Sequence, residues 1–133
     1  MRLQGATKGT ELEQQINQLY EGEARGAGLY YALAFLAQEK GHCDIVETLR
    51  NLANDEARHA GLYAFLNGQA PDDIFGTLKH VAQLETDGFK KVNALAQHAR
   101  SLGLDAVAKE IEIAALDEKR HGEILTSLVA NRS

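Results

Sequence analysis

The chain has 133 residues, enough for one domain with a single core. Nineteen acidic against fourteen basic side chains give a net charge of −5, with no basic stripe to fit a nucleic acid. A single cysteine, Cys43, excludes an internal disulfide and a four-cysteine metal ribbon, and no apolar run approaches the ~20 residues that cross a bilayer.

Residues 1–9, within "MRLQGATKGT", contain no apolar stretch of the kind a secretory signal needs. They read as a flexible arm, and a reducing cytoplasm is the expected location. Helical periodicity begins near Thr10 and runs to Lys40, stopping at Gly41. Its apolar stripe is Ile16, Leu19, Glu23, Gly26, Tyr30, Leu33 and Ala37. A second helix is predicted over about Asp44 to Leu66, with the stripe Ile45, Leu49, Leu52, Glu56, His59, Tyr63 and Leu66. The segment "NGQAPD" breaks the pattern. A third helix begins near Asp72, with Asp72 or Asp73 as its cap. It carries Leu78, Val81, Glu85, Gly88, Val92, Leu95 and Ala99. After "SLGLD" a fourth carries Val107, Ile111, Ala114, Glu118, His121, Leu125 and Leu128. The chain thus divides into a hairpin over 10–66, a linker over 67–72 and a hairpin over 73–131.

The two hairpins are copies of each other. Glu23 maps to Glu85, Glu56 to Glu118, His59 to His121, Gly26 to Gly88 and Gly41 to Gly103, all at an offset of 62, and "DEARH" maps to "DEKRH". The polar matches fall on the stripe that should be buried. An ionised carboxylate buried without a partner costs several kcal/mol. A domain of this size has only about 5–15 kcal/mol of net stability. Three arrangements would relieve the strain. Metal ions could be held by the four glutamates and two histidines. Arg25, Arg58 and Arg120 could neutralise the acids, although Arg58 and Arg120 lie beside the stripe and are better placed to hold Asp55 and Asp117. Or the stripe is misphased and the acids face water. A lone Glu-x-x-His is weak evidence for a ligand pair. Two copies, each with a further Glu at a spacing of 33, are strong evidence.

Glu-x-x-His on each of two helices, with one Glu from each of the other two, is the ligand pattern of ferritin-like di-iron and di-manganese carboxylate proteins. The chain resembles the rubrerythrin-type branch of that superfamily. "GEARGAGLYYALAFLAQEKG" is similar to its first helix, "LANDEARHAGLYAFL" to its second, "VAQLETDGFKKVNALAQHARSLG" to its third and "AALDEKRHGEILTSL" to its fourth. The resemblance implies an all-α, ferritin-like four-helix bundle over 10–133. It implies two iron ions per site, or manganese or a mixed pair, held by Glu23, Glu56, His59, Glu85, Glu118 and His121. Asp55 and Asp117 could hold the far nitrogen of a ligand histidine. Tyr30 could act as hydrogen-bond donor or one-electron source. The implied activity is reduction of hydrogen peroxide. The chain ends at Ser133 without the family's four-cysteine rubredoxin-like domain, so electrons are expected from a separate, rubredoxin-like donor. The family's additional Glu, one turn after the third-helix ligand, is Gly88 here. The remaining six-ligand set is closer to bacterioferritin's and keeps ferroxidase or iron handling, with dioxygen as oxidant, as an alternative. A metal-free helical interaction module is the third reading. Gly26 and Gly88 either let helices pack closely or leave a hole through which a small oxidant enters.

Connectivity adds one expectation. A ferritin-like crossover between the second and third helices must cover ~30 Å, given a 1.5 Å rise per residue. The linker spans at most ~21 Å when extended. A plain up-down-up-down bundle, or a homodimer in which two chains exchange hairpins, would resolve this. Exchange is favoured because it preserves the two-fold ligand arrangement.

Overall fold

Four long helices make up most of the chain in a computed structural model that describes residues 2–132. Helix α1 spans Glu13–Glu39, α2 Val46–Leu66, α3 Ile74–Ser101 and α4 Asp105–Val129; a 3-10 turn, Cys43–Ile45, leads into α2. The fold is all-α, as the periodicity predicts, with no strand among the described residues. No helix among them is long and apolar enough to cross a membrane.

Glycine sets the helix ends. Gly41 and Gly103 have φ of +84° and +78°, the left-handed conformation that only glycine adopts without strain. The chain then folds back in the same way at both: His42 N–H donates to Ala37 O (2.8 Å) and Leu104 N–H donates to Ala99 O (3.0 Å). At the start of α3, Asp73 is the cap, its carboxylate accepting from Gly76 N–H at 3.0 Å.

The chain divides between Ala70 and Pro71 into two units, each a helical hairpin. In the first, α1 packs along α2. Ala34, Ala37 and Val46 form a buried cluster with Leu49 against it, and Ala53 and Ala60 are buried further along. The N-terminal segment joins this unit through turns. Gly5 N–H donates to Phe65 O and Thr7 N–H to Leu66 O, both at 3.0 Å. Thr7 Oγ1 also donates to the side-chain oxygen of Asn67, a buried residue whose Nδ2 donates to Glu13 O at 2.9 Å. In the second unit, α3 packs along α4 over Ala82, Ala96, Ala99, Ala108, Ala115, Gly122 and Val129.

Small side chains let the paired backbones approach closely. The consequence is that no large side chain among the described residues is fully buried. Leu19, Leu52 and Leu95 on the predicted stripes are 41%, 39% and 57% exposed. Each hairpin therefore presents a broad apolar face that its own two helices do not cover.

Candidate metal centre

Each hairpin gathers three of the predicted ligands on that face. Glu56 and His59, one turn apart on α2, point toward Glu23 on α1; Glu118 and His121 on α4 point toward Glu85 on α3. Within each group the donor atoms lie within 4.8 Å of one another. In the first hairpin, His59 Nδ1 lies 3.8 Å from Glu23 Oε1 and 3.9 Å from Glu56 Oε2. In the second, His121 Nδ1 lies 3.5 Å from Glu85 Oε2. Glu23 and Glu85 are each 22% exposed, so they sit partly inside the hairpin, not in its depths.

The six predicted ligands thus fall three and three, and no arginine or lysine is ion-paired to them among the described residues. Arg58 instead takes Asp55 at 3.1 Å and Arg120 takes Asp117 at 3.2 Å, each along its own helix. Within their hairpins Asp55 and Asp117 are therefore bound to arginine and not to a ligand histidine. Arg25 makes no ion pair among the described residues. Neutralisation by arginine is not how the structure handles these acids.

Glu118 has its pKa raised, first by its hydrogen-bond relation with Glu85, then by desolvation and by the charge of Glu85. Two acceptors face each other and must share a proton or a cation. Glu85 Oε2 is buried and has no hydrogen-bond partner. His121 Nδ1, at 3.5 Å, is too far for a bond of ordinary strength. An orphaned carboxylate oxygen amid oxygen and imidazole donors is what a divalent cation would satisfy. Two carboxylates per group match its charge. The residues therefore fit a metal, with Glu23, Glu56 and His59 as one set of donors and Glu85, Glu118 and His121 as the other.

Gly26 and Gly88 each lie one turn after the first Glu of their hairpin. A Cβ on Gly26 would sit 3.1 Å from Glu56 Oε1 and 3.3 Å from its Cδ; on Gly88 it would sit 3.1 Å from Glu118 Oε2. Within each hairpin the space beside these glycines is taken by a carboxylate of the facing helix. Of the two roles the sequence leaves for these glycines, close packing and an entry hole, the space where the hole would lie is filled within each hairpin by a glutamate end.

Tyr30 is half-buried on α1, two turns beyond Glu23, and its hydroxyl makes no hydrogen bond among the described residues. Its neighbour Tyr31 donates to Asn54 Oδ1 at 3.2 Å. Cys43, His42, His80 and His98 are exposed and belong to neither group.

No family model matches the chain. A protein of Methanocaldococcus jannaschii described as uncharacterized protein MJ0746 is 34% identical over 125 residues, covering 94% of this chain and 89% of its own length. Reverse rubrerythrin-1 of Clostridium acetobutylicum is 28% identical over 131 residues, covering 94% of this chain and 71% of its own length.

Proposed function

The chain belongs to one family with the uncharacterized protein MJ0746 of Methanocaldococcus jannaschii, and we propose that it is a di-iron redox protein of rubrerythrin type. The observation that carries this reading is the repeated Glu-Glu-His cluster, present once in each hairpin with donors within 4.8 Å. The more distant similarity to a reverse rubrerythrin supports the same class.

In this reading Glu23, Glu56, His59, Glu85, Glu118 and His121 hold two iron ions; manganese or a mixed pair would suit the same oxygen and nitrogen donors. When bound, two ferrous ions would supply the two electrons that reduce hydrogen peroxide to water, and a separate rubredoxin-like donor would return them. The glutamates hold the metals and can carry a proton when they are not bound. Tyr30 supplies a free O–H toward the oxidant from the ligand face of α1. Asp55 and Asp117 fix ligand histidines of a neighbouring hairpin once the two hairpin types are paired. That pairing joins hairpins of two chains into a homodimer, which covers the apolar faces each hairpin leaves open.

The test is anaerobic loading with Fe(II), which should saturate at two ions per chain, followed by stopped-flow mixing. Oxidation by hydrogen peroxide should be much faster than oxidation by dioxygen. The reverse order would replace peroxide reduction with the ferroxidase reading, which one observation favours: no fifth carboxylate joins either cluster among the described residues.

A further inference from the structure

Two glycines beside the clusters have no part in the metal-binding reading. Gly26 and Gly88 occupy helix interiors, where glycine weakens a helix relative to alanine. Neither has a positive φ, so neither is needed for backbone shape. Gly22, Gly28 and Gly61, also inside helices, have open space where a Cβ would be. Gly26 and Gly88 differ from these in one respect. Each missing Cβ would touch the carboxylate of the Glu that belongs to the Glu-x-x-His pair on the facing helix.

We propose that Gly26 and Gly88 are positioning residues, each holding open a seat on α1 or α3 for the carboxylate of Glu56 or Glu118, so that this carboxylate stands beside Glu23 or Glu85 at metal-binding distance. The inference rests on the metal-binding reading above. Its physical basis is a comparison of tolerances. A Cβ at 3.1 Å from a carboxylate oxygen forces that carboxylate to give by a few tenths of an ångström. Packing absorbs this readily, because a glutamate end is flexible. Metal–ligand distances do not: they hold to about 0.2 Å. At Gly26 the intruding carbon would crowd both the oxygen and Cδ of Glu56, at 3.1 and 3.3 Å, so the carboxylate group must shift. The repeat supports the assignment, because the same contact is built twice from different surroundings.

The experiment uses the full chain, freed of metal, and Mn(II) as the probe. Binding is measured by calorimetric titration and stability by thermal melting without metal, for wild type, Gly26→Ala, Gly88→Ala and Gly28→Ala. A purely structural glycine and a positioning glycine predict different pairs of results. Gly26→Ala and Gly88→Ala should melt at or above wild type, because alanine favours the helix. Both should bind Mn(II) about tenfold to a hundredfold more weakly, the range for lost support of a metal ligand. Gly28→Ala should melt higher and bind as wild type does. Equal Mn(II) affinity in all four proteins overturns the inference and leaves the metal centre standing. A lower melting point for Gly26→Ala and Gly88→Ala overturns it in favour of simple packing. Failure of wild type to bind Mn(II) or Fe(II) overturns the metal-centre reading and this inference with it.

Discussion

At the level of single residues, the pair Glu85 and Glu118 gives a pH signature that can be read before any metal is added. The raised pKa of Glu118 means that the folded, metal-free protein holds a proton there more tightly than the unfolded chain does. The stabilisation is fully present below the unfolded carboxylate range and is lost as the pH rises through the folded value. Metal-free wild type should therefore lose stability relative to Glu118→Gln as the solution moves from acid to neutral, and thermal melts across that range would show it. A flat difference between the two proteins would mean that the carboxylates do not interact. The cap of α3 offers a second residue-scale check. Asp73 accepts from Gly76 N–H, and Gly76 has no side chain because a Cβ there would lie 2.0 Å from Asp73 Oδ2. Asp73→Ala should cost about 1 kcal/mol by denaturant unfolding.

At the level of helices, the two hairpins solve one packing problem with different residues. Gly122 on α4 lies where a Cβ would be 3.0 Å from Thr86 Oγ1. At the equivalent positions of the first hairpin the chain has Ala60 and Ala24, one small residue exchanged for another with volume traded across the pair. The seams leave little room: Ala53, Ala96 and Ala108 are each 0% exposed. Ala53→Leu should destabilise the protein by about 1–3 kcal/mol, the usual cost of overpacking, measured by denaturant unfolding with and without metal. The helices themselves were legible in the sequence because their ends carry local chemistry: Gly41 and Gly103 for the stops, Asp73 for a start. The 3-10 turn Cys43–Ile45 was not, because three residues of tighter coil leave the apolar period unchanged. The six acids and imidazoles could be read because the repeat placed them twice. The role of Gly26 and Gly88 could not, because it depends on how far a glutamate on the facing helix reaches, and a one-dimensional pattern does not record that. The docking of the N-terminal turns was equally hidden: it hangs on Thr7 meeting Asn67, some sixty residues away.

At the level of the whole molecule, the question is what covers the apolar faces that carry the clusters. An alanine-rich seam buries little area, and large apolar side chains at 39% to 57% exposure are more than an isolated hairpin tolerates. A linker too short for a ferritin-like crossover leaves a plain up-down-up-down bundle or a second chain to cover them, and the exchange proposed above would take one hairpin from each partner. Sedimentation at micromolar concentration should therefore give twice the mass of one 14.5 kDa chain, and a monomer would end the exchange model. Metal should report on the same assembly. A cation bound only by the folded state stabilises it in proportion to the logarithm of its concentration over Kd, about 2.7 kcal/mol at a hundredfold excess. Removing it also returns the two carboxylates of each cluster to mutual repulsion. Chelation should then lower the melting temperature and weaken the dimer together, and restoring Fe(II) or Mn(II) should recover both. Loss of metal that left sedimentation and melting unchanged would show that the acids do not lie at the centre of the assembly.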